Sequence, residues 1–188
     1  GLEGACRGGH HALVNMMLSL GANEYNDGLY NACIGRHLEL VKMMLSLGAT
    51  DYNHGLYGAC LGCHLGIVKM MLDLGVTRYN FGLYGACLGC HIDLVKMMLD
   101  LGVNDYNFGL EGACKGGHFE IVKMMIDLGA DKYYYLKNGN LALKILYSRL
   151  TRKVITLPIK KEHPEYHLLK VYNKKVPDID RIINKYLF

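Results

Sequence analysis

Residues Gly55–Phe81 read GLYGACLGCHLGIVKMMLDLGVTRYNF, and residues Gly82–Phe108 read GLYGACLGCHIDLVKMMLDLGVNDYNF. The second stretch repeats the first with few changes and no gap. Working outward, GLYNACIGRHLELVKMMLSLGATDYNH starts at Gly28, GLEGACRGGHHALVNMMLSLGANEYND at Gly1, and GLEGACKGGHFEIVKMMIDLGADKYYY at Gly109. The five starts lie 27 residues apart. A fixed period of this length marks a repeat architecture and outranks other readings of the chain.

Each copy reads as two helices. In the copy at Gly55, Leu56, Ala59 and Cys60 fall on one stripe, so a short helix is expected over about Leu56–Leu61. Gly62 is expected to end it in the left-handed conformation that glycine accepts. Ile67, Val68, Met71 and Leu72 share a face opposite Lys69 and Asp73, which predicts a second helix over about Leu65–Leu74, closed by Gly75. Val76–Phe81 is read as the connector. One helix pair cannot bury its own stripe, so neighbouring pairs must stack and share a core. The expected fold is all-α: a helix-turn-helix solenoid of five repeats over residues 1–135.

At this point GLYGACLGCHIDLVKMMLDLGV resembles an ankyrin repeat. Leu83, Ala86, Cys87, His91, Leu94, Val95, Met98, Leu99 and Gly102 fall on that family's positions. The copy is shorter than the family's usual ~33 residues. The hairpin finger and its Thr-Pro turn are missing, replaced by NDYNF. This compact form is similar to the ankyrin repeats abundant in giant DNA viruses of amoebae. The resemblance implies a concave surface lined by the first helices and a viral source. It also implies use as a protein-interaction scaffold. Arg36, Cys63 and Cys90 stand where the family has Gly before the His, a departure that bears on the turn.

GACLGCH, at Gly58–His64 and again at Gly85–His91, contains the Cys-x-x-Cys-His signature of covalent haem. In register, the first Cys (Cys6, Cys33, Cys60, Cys87, Cys114) and the His (His10, His37, His64, His91, His118) occur in every copy. The second Cys does not; its column reads Gly9, Arg36, Cys63, Cys90, Gly117. The frame is therefore read as structural, the first Cys as a small buried hydrophobe and the His as a partner for backbone groups of the turn. Cys60, Cys63, Cys87 and Cys90 also spell a zinc pattern, but 23 residues separate the two pairs. Stacked helices lie ~8–10 Å apart, whereas ligands on one zinc lie within ~4 Å of one another. No cofactor and no metal are expected; a metal or redox protein using these pairs is the third reading. Seven cysteines is an odd count, which speaks against a secreted disulfide framework.

The variable columns point to a partner. The third position reads Glu3, Tyr30, Tyr57, Tyr84, Glu111 and the seventh Arg7, Ile34, Leu61, Leu88, Lys115. They are i and i+4 on the first helix, off its buried stripe. The connectors add Phe81 and Phe108. Tyr30, Ile34, Tyr57, Leu61, Phe81, Tyr84, Leu88 and Phe108 thus form a candidate aromatic-aliphatic patch on the middle repeats, with charged ends. The competing reading packs the Tyr column between repeats as core. All ten Met sit as pairs on the second helices, one of each pair facing the core. Lys42, Lys69, Lys96 and Lys123, flanked by acids, read as a solvated face with weak ion pairs.

Residues 136–188 carry a net +8 and residues 1–135 a net −4, together the chain's +4. The basic segment is read as a capping extension, with a final helix in PDIDRIINKYLF. No hydrophobic run reaches the ~18 residues of a membrane span, and no secretory signal is present. The chain opens on Gly1 in mid-pattern, without Met, and is expected to be processed or a fragment. There is no catalytic constellation. The expected function is a non-catalytic scaffold binding one protein partner, host or viral, on the concave face of the middle repeats. The alternative is a structural, virion-associated component of a large DNA virus. Nucleic acid is not the expected partner, a monomer is expected rather than an obligate oligomer, and the expected location is intracellular, in host cytoplasm or virion.

Overall fold

The structure is a computed structural model that describes residues 1–131. The boundary at 135, the cap and its final helix lie outside the described residues. Among the described residues the fold is all-helical, with ten helices and no strand. These are α1 (Leu2–Gly8), α2 (His11–Ser19), α3 (Tyr25–Ile34), α4 (Leu38–Ser46), α5 (Tyr52–Leu61), α6 (Leu65–Asp73), α7 (Tyr79–Leu88), α8 (Ile92–Asp100), α9 (Tyr106–Gly116) and α10 (Phe119–Asp127). No helix is long and apolar enough to cross a membrane, among the described residues.

The odd-numbered helices after α1 start a full turn earlier than the apolar stripe predicts. Tyr52–His54 and Tyr79–Phe81, read above as connector, are the first turns of α5 and α7. At α5 and α9 the reason is capping, whereas α3 and α7 start as early without a side-chain cap. The Asp51 carboxylate accepts the His54 backbone N–H at 3.1 Å, and Asp105 accepts that of Phe108 at 3.1 Å. Each satisfies one of the donors that a helix start leaves open. The true connector between α6 and α7 is residues 74–78.

The turn between paired helices also differs from expectation. Gly62 is right-handed, with φ −75°. The left-handed residue is the next one: Cys63 at φ 57°, Cys90 at 64° and Arg36 at 65°, matching Gly9 at 74° and Gly117 at 76°. One closure is kept in all copies, with the His N–H bonded to the Ala carbonyl five residues back (His64 to Ala59, 3.1 Å). Gly62 is needed for another reason: a Cβ there would lie 2.6 Å from the Ile34 carbonyl oxygen of the preceding copy.

The helices pack in chain order. Each even-numbered helix lies on the odd-numbered one before it, and α1, α3, α5, α7 and α9 pack successively on one another, consistent with a helical repeat solenoid. Leu29, Leu40, Met44, Leu56, Ile67, Met71, Leu83, Met98, Leu110, Ile121 and Met125 fill the core. Glycines let the odd helices approach: a Cβ on Gly58, Gly85 or Gly112 would lie 2.5–2.6 Å from the carbonyl oxygen of Tyr30, Tyr57 or Tyr84. Polar clamps of two kinds tie copies to their neighbours, each kind at three of the four junctions. Asn26 Oδ1 accepts the Thr50 and Asp51 N–H groups at 2.8 and 3.0 Å, Asn53 that of Arg78 at 3.0 Å, and Asn107 that of Asp131 at 2.6 Å. The His37, His91 and His118 Nε2 groups donate to the Arg7, Leu61 and Leu88 carbonyls at 3.0–3.1 Å.

His64 departs from this set. Its Nδ1 accepts the Ile67 N–H at 3.2 Å and caps its own helix. This copy alone has glycine two residues after the His. A Cβ on Gly66 would lie 3.3 Å from the His64 ring, so the glycine leaves the ring room to turn inward.

Candidate functional site

α5 carries His54, Tyr57 and Leu61 at i, i+3 and i+7; α7 carries Phe81, Tyr84 and Leu88 in the same places. One face of each odd helix therefore presents two rings and an aliphatic side chain. Across copies the rings meet. Tyr30 stacks on Tyr57 with centroids 5.4 Å apart and planes 29° apart. Tyr57 meets Tyr84 edge-on at 5.6 Å. In the second row His54 meets Phe81 at 5.4 Å and Phe81 meets Phe108 at 5.8 Å, both edge-on. The rows join at Tyr30–His54 (6.5 Å) and Tyr84–Phe108 (4.6 Å). These separations fall in the range that favours aromatic pairs.

All eight sequence-predicted residues lie on the face of α3, α5, α7 and α9 that carries these rings. Phe81 and Phe108 sit in helical first turns, not in connectors. The patch is half-buried rather than open. Tyr84 is only 8% exposed, and the other seven are intermediate. Ring faces are spent on one another, leaving ring edges and the Ile34, Leu61 and Leu88 side chains toward solvent. Burial pushes the Tyr57 hydroxyl pKa upward, and Tyr30 and Tyr84 add to the rise, so this hydroxyl stays protonated as a donor.

The ends differ. Lys115 Nζ donates to the Tyr84 hydroxyl at 2.8 Å, lies 5.3 Å from that ring's centroid, and pairs with Glu111 at 2.7 Å. A charged clip thus closes the array at α9. The equivalent Glu3 and Arg7 form no ion pair, and of the lysine column only Lys42 does, with Glu39 at 2.9 Å. Beside Tyr30, His54 Nδ1 bonds Asp51 Oδ2 at 2.5 Å. Burial pushes the Asp51 carboxyl upward, but the His54 bonds and Arg78 outweigh it and hold its pKa below the usual range.

The cysteines separate into two environments. Cys60 and Cys87 are buried in the core, and burial pushes their pKa values to about 12. Cys63 and Cys90 are exposed. One thiol of each Cys-x-x-Cys is thus buried and the other exposed, whereas covalent haem needs both accessible. Among the described residues no three His, Cys, Asp or Glu side chains converge on a possible ion position. The His column, read as bonding backbone groups of the turn, reaches carbonyls of the preceding copy instead, and the residues that sequence reasoning missed are the Asn clamps. Their one signal is the Tyr-Asn pair that recurs at 25–26, 52–53, 79–80 and 106–107.

No protein-family model matches the chain, and no curated protein matches it.

Proposed function

We propose that residues 1–135 form an ankyrin-type solenoid of five repeats, akin to the short-repeat ankyrin proteins of giant DNA viruses. We infer that it serves as a non-catalytic scaffold, with a protein partner held on the face that carries the aromatic rows. The observation that carries this reading is the ring ladder crossing α3, α5, α7 and α9. Each ring packs against its neighbours, and the ladder offers tyrosine hydroxyls and aliphatic side chains along one line. Tyrosine is enriched among residues that dominate interface energies, and pre-ordered side chains lose little entropy on binding.

The test spares the rings. Leu61→Glu with Leu88→Glu alters the solvent-facing edge of the ladder and leaves the stacking intact. The expected outcome is loss of at least tenfold in affinity for a partner captured from amoebal host cells, with the melting temperature within a few degrees of the parent. Capture that persists undiminished in this variant sinks the reading. Tyr57→Ala is a poor probe, because removing a stacked, half-buried ring lowers stability as well.

A further inference from the structure

The five copies provide their own controls, and the outer face of α1 and α2 fails to match the other four. Leu13 is 39% exposed, whereas its equivalents Leu40, Ile67, Leu94 and Ile121 are at most 6% exposed. Leu20 is 72% exposed against 38–41% for Leu47, Leu74, Leu101 and Leu128. Met17 is half-buried where Met44, Met71, Met98 and Met125 are fully buried. The backbone shows the same gap. Gly4 has nothing within 4 Å of its would-be Cβ, although Gly58, Gly85 and Gly112 each face a carbonyl of the preceding copy.

The polar fittings are present but unused. The His10 ring lies over Gly8, as His37 lies over Gly35 and His118 over Gly116. His37, His91 and His118 each reach a carbonyl of the preceding copy; His10 reaches none. In the second copy the Thr50 and Asp51 N–H groups are held by Asn26. In the first, the Glu24 carboxylate bonds the Asn23 N–H at 3.2 Å in its place. A repeat that faces water needs a polar outer surface, and this one has the apolar, glycine-relieved surface of an inner repeat.

We propose that the outer face of α1 and α2 is a docking face, and that its occupant is one further helix pair of this same 27-residue type. The face continues the four junctions already seen, and they specify the occupant's chemistry. Its odd helix brings a carbonyl to His10 and lies against Gly4. Its Asn accepts the Asn23 and Glu24 N–H groups. Its even helix covers Leu13 and Met17.

The test compares the 188-residue chain with the same chain carrying a copy of residues 28–54 ahead of Gly1. In the extended protein, amide exchange in α2 should slow at least tenfold. Leu13→Asp should abolish that gain while changing the parent chain's melting temperature little, and His10→Ala should reduce it in part. Two results overturn the proposal. One is unchanged α2 exchange with the added copy unfolded by circular dichroism. The other is a parent chain that is already a dimer at micromolar concentration, with α2 protected and dissociated by Leu13→Asp, since a second copy of the chain would then own the face.

Discussion

Gly62 and Cys63 are neighbours that make opposite demands on the backbone. Gly62 has ordinary right-handed angles but no room for a Cβ, which would press on the Ile34 carbonyl at 2.6 Å. Cys63 has room, being exposed, but holds φ 57°. A left-handed non-glycine residue costs roughly 1–2 kcal/mol. Cys63→Gly should therefore stabilise the protein by about 1 kcal/mol. Gly62→Ala should destabilise it by about 1–3 kcal/mol, as overpacking does. Urea titrations of the two variants check both signs. Cys90→Gly should behave as Cys63→Gly does. At Arg36 the strain has a return, because its Nε donates to the Gly62 carbonyl of the next copy. Nothing comparable offsets Cys63 or Cys90 in the structure.

At the scale of the element, the period and the helix faces can be read from the text because they are local. Leu56, Ala59 and Cys60 declare their stripe within one turn, and Met71 declares its side of α6 against Lys69 and Asp73. What escaped depends on cap geometry or on residues a full copy away. The first turn of α5 looks like loop until Asp51 is seen to cap it. The Tyr-Asn pair looks like connector filler until Asn53 is seen to hold the Arg78 N–H, 25 residues on. The ring columns could be tabulated, but their exposure could not, since it depends on how closely the glycines let the odd helices approach. The Asn clamps are therefore the element-scale test. Asn53→Ala hands the exposed Arg78 N–H over to water, at a cost of about 0.5–1.5 kcal/mol. Amide exchange should quicken at Arg78 and in the first turn of α7, while α1–α3 change little. Uniform acceleration along the chain would show that the clamp is not local.

The whole molecule adds the same small term several times. Cys33, Cys60, Cys87 and Cys114 lie in the core, and burial pushes each pKa to about 12. An unfolded thiol titrates near ~8.5. The folded state therefore keeps protons that the unfolded state loses. Stability is full below the unfolded value and falls as pH rises from there towards the folded value. Each thiol contributes a slope of about 1.4 kcal/mol per pH unit in that window. Melting temperature measured under reductant should fall steeply above pH ~9. Cys87→Ala should lessen the slope by one thiol's share; a flat profile to pH ~11 would contradict the burial of the column.

The clamps carry a further consequence for how the chain finds its order. Every described bond between copies joins residues 24–31 apart, so each copy recognises only its immediate neighbour. Yet Gly58–His64 and Gly85–His91 are identical in sequence, and a copy docked one place out of turn would find a closely matching set of carbonyls, glycines and asparagines. Chemical recognition is thus nearly degenerate along the array. Correct sequence of assembly rests on the shortness of the tethers, residues 74–78 between α6 and α7 for instance, which leave a newly formed pair no reach beyond the one beside it.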